Sequence, residues 1–373
     1  MRFPDEENYE IITEAVARYC NHVLIPVVAG KQYTINCTHT QSMEFNAGVS
    51  TSDGNEFTIL FNYGITETFI DVINRMDDED IDAEIEELSE TIYSNRTSKD
   101  DIYRGIVFGA VFFVMLHELA HILKQHLHYV IKTEAKDTQF NFNEIDIGFN
   151  VRNPLISEEF FNDNILKLFE LDADASSVIL LLTLSTEIFG ETSEQYNTVY
   201  PDWKRVPENE VHRQACNQIM LYGACLALAA IEAKRGVSEE YPSPFTRIIN
   251  IYDAFNQEMY KAASVIDSRS FVNDILYLEN DEKVQQVMSS IIFPVFLNSV
   301  DIIITSCLLL NYDLTKKYNL EELAIADSLL KDFVNLLKEL EPGDLKTKEA
   351  EEYRALRMYR PRFNTLFTQF LTA

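Results

Sequence analysis

Residues 114–126 read VMLHELAHILKQH, and the way this stretch folds decides the reading of the whole chain. The protein has only seven histidines, yet His117, His121, His126 and His128 crowd into this segment and its immediate continuation. An imidazole set among Val, Met, Leu and Ile loses hydration, and it persists there when a hydrogen bond or a metal compensates. The preceding run from Gly105 to Leu116 is apolar, and Ser98 followed by Asp101 has the form of a capping box. A long helix is therefore predicted from about Ser98 to about His126.

On that helix His117 and His121 are separated by about 400° of rotation, so they lie within about 40° of each other and one turn apart. Both rings can then reach one ion. Glu118 projects about 100° to the side, where it can touch a metal-bound water without being a ligand. This H-E-x-x-H geometry is that of a zincin. A catalytic zinc needs a third protein ligand and an open fourth position. The pattern with glycine at 124 and histidine at 127 is excluded, because the chain has Lys124 and Leu127. His126 and His128 flank that position and read more simply as polar residues at the end of the helix.

The stretch FELDADASSVILLL places Glu170 and Asp174 four residues apart on a second apolar helix. That helix could present Glu170 to the zinc while Asp174 accepts a hydrogen bond from the second nitrogen of a ligating histidine. The competing account makes Asp163, Lys167, Glu170 and Asp174 one solvated, ion-paired stripe.

HELAH followed by ELDADA resembles the gluzincin arrangement H-E-x-x-H … E-x-x-x-D of the CAAX prenyl endopeptidase group, and it is similar to soluble bacterial Lit-like and ImmA/IrrE-like proteases. The resemblance implies zinc bound by His117, His121 and Glu170, Glu118 as general base and Asp174 behind a ligating histidine. EEYPSPFTRIINI also resembles the downstream H-P-x-x-x-x-R element of the prenyl endopeptidase group, with Pro242 and Arg247 at matching spacing and Tyr241 in place of histidine. By that resemblance Tyr241 and Arg247 are candidates to stabilise the oxyanion, as is the isolated His212. Without it, Y-P-S-P is a proline turn before a helix.

With 60 Asp and Glu against 31 Lys and Arg, the formal net charge is −29. Such a chain repels phosphate backbones and anionic lipid surfaces, which argues against nucleic-acid and peripheral membrane binding. Cysteines 20, 37, 216, 225 and 307 are odd in number and lack a C-x-x-C pair, so they read as reduced core thiols. The N-terminus MRFPDEENYE has no signal-peptide pattern, and the expected location is the cytoplasm. Residues 289–310 most resemble a membrane span, but Pro294, Asn298 and Asp301 interrupt them.

The expected fold class is α+β, mainly α: a zincin-like core with a small N-terminal antiparallel sheet, the HExxH and ExxxD helices, and a helical second half. An amphipathic helix is predicted at about 7–20, then short β-rich runs over 31–62, with NEFTILF as the edge strand lining the cleft. Residues 77–88 form an acidic stretch, and 139–159 read as loop with a strand inside it. The core is assigned to 1–190, and 191–373 to a helical region that completes the cleft without having to be a separate domain. RALRMYRPRF, with Arg354, Arg357, Arg360 and Arg362, is expected to pair internally with acidic groups.

The function this implies is zinc-dependent hydrolysis of peptide bonds in a protein or peptide substrate, in bacterial defence or regulation. The rivals are a zinc-bearing regulatory protein with little turnover and a metal-free helical scaffold.

Overall fold

The computed structural model describes residues 8–29, 33–51, 54–76, 81, 83, 85–88, 99–129, 140–143, 159–188, 210–236, 241–265, 293–314, 328–329, 331–333, 335–336 and 345–372. Helix α1 (Asn8–Tyr19) runs through a π-helical turn (Cys20–Leu24) into the short α2 (Ile25–Val28). Strands β1 (Thr34–Thr40), β2 (Ala47–Thr51) and β3 (Glu56–Asn62) follow, then α3 (Tyr63–Arg75) and α4 (Lys99–Leu123). Strand β4 (Phe140–Asn143) falls in the region read as loop with a strand inside it. The further elements are helices: α5 (Glu159–Ile188), α6 (Glu210–Arg235), α7 (Pro244–Val265), α8 (Phe293–Leu309) and α9 (Lys348–Thr372). Ser98, residues 189–209 and most of 139–159 lie outside the described residues.

The three β-rich runs do form strands, but the sheet is mixed and not antiparallel, with order β1-β3-β2-β4. Strands β2 and β3 pair antiparallel through a turn at Gly54, whose φ of 76° suits glycine. Strand β1 instead pairs parallel to β3, with Thr34 opposite Glu56 and Thr40 opposite Asn62. Residues 41–46 arch over the end of β3, where Ser42 O accepts from Gly64 N at 3.0 Å. A Cβ at Gly64 would stand 2.2 Å from Met43 O, so the arch requires glycine beneath it. Alternation along a strand sets which side chains face the core; it does not say which strand is the neighbour.

That order corrects the place of NEFTILF. Strand β3 is paired on both sides, so its backbone groups are satisfied and it cannot take up an extended peptide. The outer side of β1 is capped in its middle by Asn21, which donates to Cys37 O at 2.7 Å and accepts from Cys37 N at 2.8 Å.

Helix α4 is apolar on all its faces, and from Ile106 to Ile122 it is buried throughout. A helix of that kind is enclosed by protein or by lipid. Here α1, α3, α5, α6, β2 and β3 surround it. Cys37 on β1 touches Met115 at 3.4 Å, which ties the sheet to the helix two residues before His117. Helix α6 approaches so closely that a Cβ at Gly223 would meet Ala110 N and Ile106 O, both at 2.6 Å. Both atoms are backbone and cannot swing aside. Gly223→Val is therefore expected to lower stability by at least the ~1–3 kcal/mol of an overpacked core. Thermal melting beside a control substitution on an exposed face of α6 measures it.

The second half packs onto the first in one continuous core that runs from Ile12 to Phe367. Helix α9 closes it. Arg357 Nε lies 3.0 Å from Asp253 Oδ2, which also accepts from Tyr353 Oη at 2.5 Å. Arg360 Nη2 reaches Leu171 O at 3.3 Å. Arg357 and Arg360 of RALRMYRPRF thus serve internal contacts. All five cysteines are buried and free.

Placement in the cytoplasm does not stand. Among the described residues, three helices are long and apolar enough to cross a membrane: Tyr9–Val28, Ile102–Leu123 and Ala215–Arg235, of 20, 22 and 21 residues. His117 and Glu118 lie inside the second of these, in a helix that continues to Leu123. Among the described residues, the interrupted segment 289–310 contributes the shorter apolar helix Val295–Leu309.

Candidate metal centre

Helix α4 carries His117 and His121 on one face, and their Nε2 atoms are 3.0 Å apart. Helix α5 crosses beside them and supplies Glu170, with Oε2 3.4 Å from His117 Nε2 and Oε1 3.7 Å from His121 Nε2. All three side chains are buried, and one ligand atom from each lies within 4.8 Å of the others. Bonds of about 2.0–2.1 Å around a tetrahedral ion separate its ligands by about 3.3–3.4 Å. The observed separations, 3.0, 3.4 and 3.7 Å, bracket that value. Two imidazole nitrogens and a carboxylate oxygen converge in a dry interior, which is a donor set that suits a divalent cation. The group could hold a metal ion.

Burial alone would raise the Glu170 carboxyl. The hydrogen bond and charge of His117, with Arg247 and His121, outweigh that and hold it below the ordinary carboxylate range. The same competition governs Asp174, where burial is overcome first by Arg247 and then by His117. Asp174 Oδ1 stands 3.0 Å from His117 Nδ1. An ionised Asp174 beside that nitrogen favours the tautomer with hydrogen on Nδ1 and a bare Nε2.

Arg247 approaches Asp174 from the first turn of α7. Ser243 accepts from Thr246 N at 3.1 Å and Pro244 begins the helix, so the Y-P-S-P turn acts as a cap. Arg247 donates twice to Asp174, from Nε to Oδ2 at 2.8 Å and from Nη2 to Oδ1 at 2.7 Å. Its Nη2 is also 3.6 Å from Glu170 Oε2. The guanidinium expected at an oxyanion thus holds the carboxylate behind His117. Tyr241, also buried, sits under Arg235, whose Cζ is 3.7 Å from the ring centroid. Glu118 is fully buried next to His117. His212 lies in the first turn of α6, and its side chain is outside the described residues.

The structure therefore brings together His117, His121, Glu170, Asp174 and Arg247. Glu170 and Asp174 are both buried and so form no solvated stripe, and Lys167 instead reaches Glu352. Two further residues escape a reading of the spacing. His126 Nδ1 lies 2.9 Å from His121 Nδ1, and His126 Nε2 lies 3.4 Å from Asp172 Oδ2. On an unbroken helix five residues advance the direction by about 500°, which would leave His126 about 140° away from His121. The helix is broken at Gln125, whose φ is 62°. That left-handed residue, at a cost of about 1–2 kcal/mol, folds the next turn back beneath His121. His128 continues toward the sheet and packs on Tyr33 and Phe57. The one signal available in sequence was the density of histidines beside the acidic E-L-D-A-D run.

No protein family, curated protein or solved structure matches the chain.

Proposed function

We propose that this chain is a zinc-dependent endopeptidase with a zincin-type centre, acting on a protein or peptide substrate in defence or regulation. The observation that carries the reading is the convergence of His117, His121 and Glu170 in one buried group, with Glu118 adjacent on the same helix. Zinc held by these three ligands would supply a Lewis acid for a peptide carbonyl and bring the pKa of a bound water toward about 7.

The chain's own residues do the rest. His117 and His121 present their Nε2 atoms, and Glu170 adds a carboxylate oxygen. Asp174, clamped by Arg247, orients His117. Glu118 takes a proton from the attacking water and gives it to the leaving amine as the carbon–nitrogen bond breaks. Tyr241 and His212 carry no step in this account, and Arg247 acts through Asp174.

The burial of the whole group, including Glu118, favours a second reading in which the metal supports a regulatory protein with little turnover. Metal content tests what the two readings share. Elemental analysis of purified protein is expected to find about one zinc per chain, sharply reduced in His121→Ala and in Glu170→Gln. Unchanged zinc in both variants would remove the site.

A further inference from the structure

The geometry points to His126 and Asp172 as positioning residues that hold His121 in the tautomer presenting Nε2 to the metal. This inference rests on the metal-centre reading above and extends it to residues without a role there. His117 is backed directly by a carboxylate, with Asp174 Oδ1 3.0 Å from its Nδ1. His121 is backed differently. Behind its Nδ1 stands another imidazole, His126, at 2.9 Å, and behind that, at 3.4 Å, the carboxylate of Asp172.

The order of protons follows from what each group can do. Two neutral imidazole nitrogens at 2.9 Å can share one hydrogen, and either could be its donor. A carboxylate only accepts. Asp172 beside His126 Nε2 therefore favours hydrogen on that nitrogen and leaves His126 Nδ1 as an acceptor. His121 must then donate from Nδ1, and its Nε2 lone pair faces His117 and Glu170. The far end of the relay also touches Lys124, whose Nζ is 3.8 Å from Asp172 Oδ2.

The ring of His126 is held as a ligand's support should be. It stacks on Phe169 with centroids 4.2 Å apart and planes 19° from parallel, and Phe367 of α9 meets it edge-on at 5.9 Å. Phe169 immediately precedes Glu170 on α5. One stacking contact therefore ties the support of His121 to the element that carries the third ligand. The left-handed Gln125 is the local device that brings His126 into this position.

Two substitutions separate positioning from packing. His126→Phe keeps a flat ring on Phe169 and removes the acceptor, whereas His126→Asn places an amide oxygen near the lost Nδ1. Zinc affinity, read by competition with a chromogenic chelator, is expected to fall about 10–100-fold in His126→Phe. His126→Asn should recover most of it, and the melting of metal-free His126→Phe should stay close to wild type. Wild-type affinity in a folded His126→Phe overturns the relay.

If His126→Phe does not fold, wild-type protein decides. Long-range proton–nitrogen correlation spectra of zinc-loaded protein labelled at histidine should show His126 protonated at Nε2 and His121 at Nδ1. Hydrogen on His126 Nδ1 overturns the proposal. Wild-type protein that takes up no zinc refutes the metal reading itself, and the relay falls with it; zinc uptake without the effect of His126→Phe refutes the relay alone.

Discussion

Glu118→Gln is expected to leave a folded protein with its full zinc content and to abolish turnover. Glu118 lies on α4 about 100° around from His117, beside the three-residue group and outside it. Its amide analogue has nearly the same size and keeps the packing of a fully buried position. What it loses is the ability to accept a proton, a role worth about 10²–10⁴-fold in rate. The measurement is paired: zinc by elemental analysis and proteolysis, or any cellular toxicity that proteolysis causes, by assay. Should Glu118→Gln keep the wild-type phenotype in an assay that His117→Ala abolishes, the metal serves structure or signalling. The peptidase reading then gives way to the regulatory one.

The second large effect concerns Arg247. Its guanidinium is buried, donates twice to Asp174 and stands 3.6 Å from Glu170. Arg247→Met retains much of the volume but leaves the Asp174 carboxylate in the interior without the cation that donates to it twice. Breaking a buried pair from one side costs about 3–5 kcal/mol, because the remaining charge is uncompensated. Urea unfolding of metal-free protein should show a loss of that order. Combining Arg247→Met with Asp174→Asn removes both charges and should restore much of the lost stability, since the penalty belongs to the orphaned carboxylate. An equal loss in the double variant would instead assign the effect to packing. Zinc should raise the stability of both proteins, as a ligand that binds the folded state does by mass action.

These expectations draw unequally on sequence and structure. The four-residue spacing of His117 and His121, and of Glu170 and Asp174, together with the apolar runs around them, was enough to read two helices with chemical groups on defined faces. That is local information, because 3.6 residues per turn relates neighbours along one element. The strands at 34–40, 47–51 and 56–62 were legible for the same reason. Their order was not: a connection over 41–46 can join adjacent strands or skip one, and only packing chooses.

The arginine shows the limit most clearly. From Y-P-S-P-F-T-R it could be placed in the first turn of a helix, but its partner Asp174 is 73 residues away in the chain and no periodicity relates them. His126 was misjudged because the spacing rule assumed a continuous helix, and one left-handed residue at Gln125 reverses its direction. The length and apolarity of α4 left two enclosures open, protein or membrane, since hydropathy measures the absence of water and does not identify what replaces it. By itself the sequence determined which residues share a helix face and what chemistry they carry. Only the tertiary structure decided which faces meet, that His126 and Asp172 stand behind His121, and that Arg247 serves Asp174, because these depend on contacts between elements that no local rule encodes.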